Sequence, residues 1–398
     1  MIYGFYFRFY RMTHCKWFSA LLAHLAYAII FCKYLLERLG CRKKIVTVEH
    51  EDALRIISRI HPDPQGVAVV ETMQVDEALD LSIIVPVYNY VELIENNIKS
   101  ILAQKTKYTF QLILVDDGST DGAQDVLHRY EGHSNVQVIF QKNQGIAGAR
   151  NTGLNAARGK YVMFIDCDDT VEDNLVETLM EKAYHGDYDI VMCAHNLVKE
   201  RNGEVYEVIP NVYPDYNMLG YAENAKILNY AGLPWGKVYK RELWNQVRYL
   251  PGYWYEDNII HSLLFTQCRK FAYVPTICYQ YRWYEKNFSH TQGNSANPKS
   301  IDMYWILVMI LEQHKAMGLQ RDERFETMLL KHLSAYYYSK ICNLDEEIVD
   351  ALFVLACDLY QQYGVKEECK LPYMLRVTKR ALQQRDINLW KLATKYQK

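Results

Sequence analysis

The sequence lacks the cysteine spacing of a zinc module or a disulfide framework: its ten cysteines form no CxxC pair and no Cys/His cluster, so a reducing compartment is expected. It also lacks HExxH and HxxxH spacing, so His185, His195 and His261 read as ordinary packing residues. There is little excess charge of either sign. A formal net charge of -2 over 398 residues argues against a generally basic nucleic-acid binder. No internal repeat or low-complexity tract appears. "GLNAARGKY" has five residues between Gly153 and Gly159 and no Ser or Thr after Lys160, so it fails the phosphate-loop pattern.

An unbroken apolar run of spanning length is missing too. "WFSALLAHLAYAIIFC", residues 17–32, is 16 residues long and contains His24, against the roughly 20 that a spanning helix needs. Three readings stay open: a helix lying on an anionic membrane, a short spanning or re-entrant helix, and a helix buried on the body. A signal peptide is not expected, because Ala26-Tyr27-Ala28 sits inside the apolar run and the basic "RLGCRKK" follows it. Residues 1–44 carry eight Lys or Arg against one acid, which leaves about -9 on the rest. A basic head of this kind predicts attachment to the inner face of a cell membrane, with the rest of the chain in the cytoplasm.

What is present is a globular composition, 50% apolar and 23% charged, with length for two or three domains. Residues 45–80 are expected to connect head to body, with "HPDPQG" breaking regular structure. From residue 81 the pattern is regular. "LSIIVPVYN", "FQLILVDDGSTD", "VQVIFQKNQG" and "GKYVMFIDCDD" are short apolar runs that end in polar residues, and helical spacing follows each loop. The alternation predicts an α/β, Rossmann-like and mostly parallel sheet with flanking helices. Ligands of such sheets bind beyond the carboxyl ends of the strands, where Tyr88, Asp116, Asp117, Arg150, Asp166 and Asp168 are expected to gather. Three carboxylates at the end of a buried strand (Asp166, Asp168, Asp169) repel one another and are costly to desolvate without a cation. Hard oxygen ligands favour Mg²⁺ or Mn²⁺, and such ions usually bridge one or two carboxylates to phosphate oxygens. A nucleotide ligand is therefore expected.

"IIVPVYN", "LVDDGSTD", "NQGIAGARNTGLNAARGKYVMFIDCDD" and the later "YEDN" resemble the inverting, nucleotide-diphospho-sugar-dependent glycosyltransferases of family 2, which have the GT-A fold. The resemblance is strong over residues 81–195 and weaker to about 290. It implies that Pro86 and Tyr88 line the base pocket and that Asp117 accepts a hydrogen bond from a uracil-like imide. Asp116 then supports the loop or the nucleoside, and Arg150 neutralises the diphosphate, with Gly145 and Gly148 permitting close backbone approach. Asp166 holds the ribose and shares with Asp168 the metal, Mn²⁺ or Mg²⁺, while Asp169 orients its neighbours or touches a ligand. In "GYWYEDNIIHSLLF" the resemblance makes Asp257 the general base and Glu256 an acceptor-binding or supporting residue. Trp235 becomes an apolar wall for a sugar, Lys237 approaches donor or acceptor, Arg282 steadies the leaving diphosphate, and His290 completes a metal shell. The implied donor is UDP-linked, and the implied acceptor is a glycan or lipid-linked glycan of cell-surface polysaccharide synthesis.

Two rivals remain. "FIDCDDT" satisfies the DxDxT signature of haloacid-dehalogenase-like phosphatases, but three βα units precede Asp166, and "GDYDIV" has Val191 where the second acid belongs. A non-catalytic sugar-nucleotide-binding protein is the other. The expected domains are 1–44, a basic apolar helix; 45–80, a connector; 81–297, the GT-A domain; and 298–398, a helical module whose stripe Ile301, Tyr304, Trp305, Val308 and Leu311 reads as packing.

Overall fold

The computed structural model describes residues 9, 15–67, 70, 75–213, 216–219, 226–285 and 296–397, without the side chains of residues 16 and 216–219. The chain divides into two compact units. One comprises Pro64–Gly293 with Glu312–Leu319, the other Met1–Asp63 with Asn294–Leu311 and Gln320–Lys398. The division falls inside "HPDPQG". The helix His50–Ile60 therefore groups with the C-terminal helices, and residues 45–80 do not form a connector of their own.

Among the described residues of the first unit ten strands form one sheet: β1 Leu81–Val87, β2 Phe110–Asp116, β3 Val136–Phe140, β4 Tyr161–Phe164, β5 Thr170–Val171, β6 Ile190–Arg201, β7 Glu204–Asn211, β8 Tyr216–Leu219, β9 Lys237–Lys240 and β10 Lys270–Trp283. The order along the sheet is β3-β2-β1-β4-β9-β6-β10-β5, with β7 beside β6 and β8 beside β10. From β3 to β4 every pairing is parallel. β1 is buried at all seven residues, which is why its apolar run is continuous and not alternating. Pro86 lies within it opposite Val115, but the ladder to β4 ends at Ile84↔Phe164, so no partner on that side needs its missing N–H.

Beyond β4 the sheet is mixed. β9 runs antiparallel to both β4 and β6, and β6 and β10 are parallel again. The expected α/β architecture holds, with parallel pairing from β3 to β4 and again between β6 and β10, and the antiparallel β9 makes the sheet mixed. A four-residue strand buried at its first three positions carries no sign of its direction.

Helices cover the strands closely. A Cβ on Gly153, in the helix Gly145–Ala156, would lie 2.3 Å from Ile84 of β1, and a Cβ on Gly159 would lie 2.6 Å from the Leu81 backbone. Both positions need a residue without a side chain.

The second unit is helical. Its apolar helix runs from Lys16 to Gly40, passing through Lys33, so it is longer than the apolar run that begins it. Trp17–Gly40 is long and apolar enough to cross a membrane by length and composition. One face packs inside the unit: Ala23 is fully buried, and Tyr34 lies edge-on to Tyr373 and Tyr396 in a cluster with Met374 and Leu392. The other face is bare, with Trp17, Leu25, Ile29, Leu36 and Leu39 all more than half exposed.

Candidate active site

Each strand end in the parallel half delivers one piece of the site. After β1, Tyr88 is exposed and Asn89 adopts a left-handed φ of 59°. That bend lets Asn89 Oδ1 accept from Thr120 N at 2.8 Å, and Asn89 N donates to Ser119 Oγ at 3.0 Å, which laces the first loop to the second. Pro86 itself is buried within β1 and shapes the strand end; Tyr88 is the side chain that reaches outward.

At the end of β2 the two aspartates divide the work. Asp116 is fully buried, and its carboxylate accepts from Gly118 N, Ser119 N and Gln124 Nε2 (2.7 Å), so it supports the loop. Asp117 Oδ1 accepts from Gln141 Nε2 at 2.7 Å and from Gln144 N at 2.8 Å. Burial pushes the Asp117 carboxyl above its ordinary value, against the pull of these donors.

The acidic rim after β4 is built from both sides. Asn97 Nδ2, on the helix Val91–Leu102, donates to the carbonyls of Asp166 (3.0 Å) and Asp169 (2.8 Å) and so fixes the turn. Asp169 turns inward. Tyr279 Oη donates to its Oδ2 at 2.6 Å and Arg282 N to its Oδ1 at 2.8 Å, and burial holds its carboxyl well above the usual range. Asp168 accepts from Tyr284 Oη at 3.1 Å, and its carboxyl is pushed up to about 6 by burial and then by the neighbouring Asp166 charge. Asp166 is paired with Arg150, Nη2 to Oδ1 2.9 Å.

Arg150 differs from its expected place. Its guanidinium is 2% exposed, lies 5.3 Å from the Tyr249 ring, and gives its other terminal nitrogen to Glu256 Oε1 at 2.7 Å. The two carboxylates keep it charged, holding its pKa above the usual value despite burial. In this arrangement Arg150 bridges two acids and is not open to a diphosphate. The same helix grips the segment before Glu256 elsewhere: Asn151 exchanges two hydrogen bonds with the backbone of Tyr249 (2.8 and 2.9 Å), and Arg248 Nε donates to Asn155 Oδ1 at 3.0 Å. The segment ends in a bend where Tyr255 has φ of 64°, a costly conformation for a bulky residue. Part-exposed Glu256 and Asp257 follow, and Ile260 N donates to the Asp257 carbonyl at 2.9 Å to begin the next helical run.

Three further expected residues are placed differently. Trp235 is 4% exposed and stacks on Tyr279 (4.6 Å) and Tyr281 (5.1 Å), so its faces serve packing and offer no platform to a sugar. Lys237 is 1% exposed and donates to the Leu233 carbonyl at 2.7 Å, turned into its own loop. Burial pulls its amine down to about 7, with Cys193 and Asp257 opposing. Arg282 makes a two-pronged pair with Glu200, both bonds 2.6 Å, which occupies the fork expected to meet the diphosphate. His290 lies outside the described residues. The sequence reading missed Asn97, Gln141, Glu200, Tyr279 and Tyr284. Only Tyr279 and Tyr284 had a signal, as members of the aromatic stretch "CYQYRWY", residues 278–284.

Among the described residues no three His, Cys, Asp or Glu side chains converge as a set able to hold a metal ion. Asp166 and Asp168 fit a cation as a pair of hard-oxygen ligands whose mutual repulsion a divalent charge relieves, with the remaining positions left to ligand oxygens.

Comparison with known proteins agrees with this architecture. The sequence pattern of glycosyl transferase family 2 matches residues 82–244. The chain is 28% identical to the uncharacterized glycosyltransferase YibD of Escherichia coli K12 over 275 residues, 66% of this chain and 73% of YibD. It is 32% identical to glycosyltransferase GlyA of Streptococcus pneumoniae over 219 residues, 53% of this chain but only 31% of GlyA. Among solved structures, S. aureus TarS residues 1–349 superposes with a TM-score of 0.62 at 18% identity, over 80% of this chain and 90% of that one. The same TarS fragment in complex with UDP-GlcNAc gives 0.62 as well, over 91% of its length. Residues 82–244 thus carry the pattern of glycosyl transferase family 2, on a chain with the GT-A fold.

Proposed function

We propose that the chain transfers a sugar from a nucleotide diphosphate, UDP-linked, to a hydroxyl of a glycan or lipid-linked glycan, with inversion at the anomeric carbon. The observation that carries this reading is the Arg150 bridge, which ties Asp166 of the acidic rim to Glu256 of the loop bearing Asp257. A donor site and an acceptor base must be held in one register for in-line displacement, and this guanidinium joins the segments that carry them.

In this account Tyr88 and Asp117 receive the base, and Asp166 the ribose. Asp166 and Asp168 would hold Mn²⁺ or Mg²⁺, which when bound offsets the negative charge of the leaving diphosphate. Asp257 takes the proton of the acceptor hydroxyl as that oxygen attacks, while Glu256, fixed by Arg150, sets the position of its neighbour. The UDP-GlcNAc complex of TarS supports a UDP-linked donor. The bare apolar face of Lys16–Gly40 supports work at a membrane, and the basic residues at its end favour the inner leaflet. The phosphatase reading loses support because three parallel strands, β1 to β3, precede Asp166 and residues 82–244 match the glycosyl transferase family 2 pattern.

The test is release of UDP from a panel of UDP-sugars. Wild type consumes one of them in the presence of an acceptor, and Asp257→Asn lowers turnover by roughly 10² to 10⁴ while donor affinity stays within about twofold. Donor binding without consumption favours the binding protein, and unchanged turnover in the variant removes Asp257 from its role.

A further inference from the structure

A second concave site lies in the helical unit, remote in sequence from the acidic rim. The C-terminal end of the apolar helix, the short helix Tyr337–Ile341 with the turn after it, and the last helix, Ile387–Lys395, enclose an open cleft of about 1090 Å³. Its wall is cationic. Arg42, Lys391 and Lys395 line it, with Glu37 as the acid facing them. Glu37 is already paired with Lys395 at 2.7 Å. Arg42 and Lys391 have no ion pair among the described residues, and Lys391 meets only the longer-range field of Glu346. Asn388 Nδ2 donates to the Arg42 carbonyl at 3.0 Å, which ties the backbone at that residue to the last helix.

The bare apolar face of Lys16–Gly40 continues to the mouth of this cleft: Leu36 is 71% exposed and Leu39 86%, one residue before Gly40 of the cleft wall. Positive charge in a recess beside a strip of exposed leucines suits a molecule with an anionic head and an apolar tail. We propose that the cleft binds the phosphate head group of an anionic membrane phospholipid, the acyl chains lying along Leu36 and Leu39. The Arg42 fork takes phosphate oxygens, Lys391 adds a point charge, and the Tyr338 hydroxyl at the wall serves as a further donor. Docked this way, the helix lies in the interface with its Tyr34 face still on the protein. The proposal rests on the reading that the chain works at a membrane.

The experiment is flotation of the full chain with phosphatidylcholine vesicles, with and without about 30% phosphatidylglycerol. Wild type binds the anionic vesicles, and Arg42→Gln/Lys391→Gln weakens that binding roughly 10- to 30-fold, the loss expected for two cations at an anionic surface. A control, Lys366→Gln/Lys370→Gln, removes equal charge from residues outside the cleft and binds within about threefold of wild type. Inorganic phosphate at millimolar concentration leaves vesicle binding intact if the lipid is the ligand. Each single variant replaces the double one if its melting temperature drops. Equal binding by wild type and the cleft variant, equal loss in the control, indifference to phosphatidylglycerol, or full displacement by phosphate overturns the proposal. UDP release by the same variants separates the two readings: retained release with unchanged vesicle binding sinks the lipid cleft alone.

Discussion

Lys237 shows how far a residue's environment outweighs its type. The resemblance puts Lys237 near donor or acceptor, and its amine is buried at the start of β9 with a pKa of about 7. Between pH 7 and the ordinary 10.5 the unfolded chain holds a proton that the folded one has shed, so stability rises with pH across that window. Below pH 7 the amine is charged in both states and the full cost of burying it stands. Lys237→Met should therefore stabilise the protein most below pH 7, by up to a few kcal/mol on the order of the shift, with the gain shrinking toward pH 10. Urea unfolding at pH 6, 8 and 10 checks it; a gain independent of pH would contradict the burial account. The acidic rim was legible for a related reason. Three carboxylates after an apolar strand stand out in any reading, but which of them turns inward did not. Asp169 is claimed by Tyr279 and by Arg282 N, 110 and 113 residues away, and no local pattern records such partners.

At the scale of elements, the strands from β1 to β4 were readable because fully buried parallel strands leave continuous apolar runs bounded by turn residues. β9 was not, because four residues carry no direction. The close fit of helix and sheet is a consequence of glycine placement, and Gly159 tests it. A Cβ there meets backbone atoms of Leu81 and Ser82 at 2.6–2.9 Å, and backbone cannot rotate aside as a side chain can. Gly159→Ala should cost about 1–3 kcal/mol, read as a lower urea midpoint at unchanged slope; an unaltered midpoint would mean that β1 can move at no cost. The helix Gly145–Ala156 has a second role that its sequence hides. Arg150, Asn151 and Asn155 hold residues 248–256 across 93 to 106 positions of chain, so the element that follows β3 also positions the loop before Asp257.

At the scale of the whole molecule, the chain's first 63 residues belong to the unit formed by its last helices, a pairing that no composition shift announces. The apolar character of residues 17–32 was plain, whereas its division into a packed face and a bare face needed coordinates. Removing residues 1–44 takes away Tyr34 and leaves Met374, Leu392 and Tyr396 uncovered. It also removes the Lys44 pairs with Glu346 and Asp350, at 2.8 and 3.2 Å. The truncated chain should no longer float with anionic vesicles and should melt earlier, by about 2–4 kcal/mol for the lost packing; an unchanged calorimetric trace would contradict the packed face.

The central claim is that the rim formed by Asp166 and Asp168 binds a divalent cation together with the diphosphate of a donor. Calorimetric titration of UDP into the full chain, with Mn²⁺ and with EDTA, tests it most directly. The account predicts at least about tenfold tighter binding with Mn²⁺, and loss of that gain in Asp168→Asn. Equal affinity with Mn²⁺ and with EDTA, or a gain that survives Asp168→Asn, would contradict it.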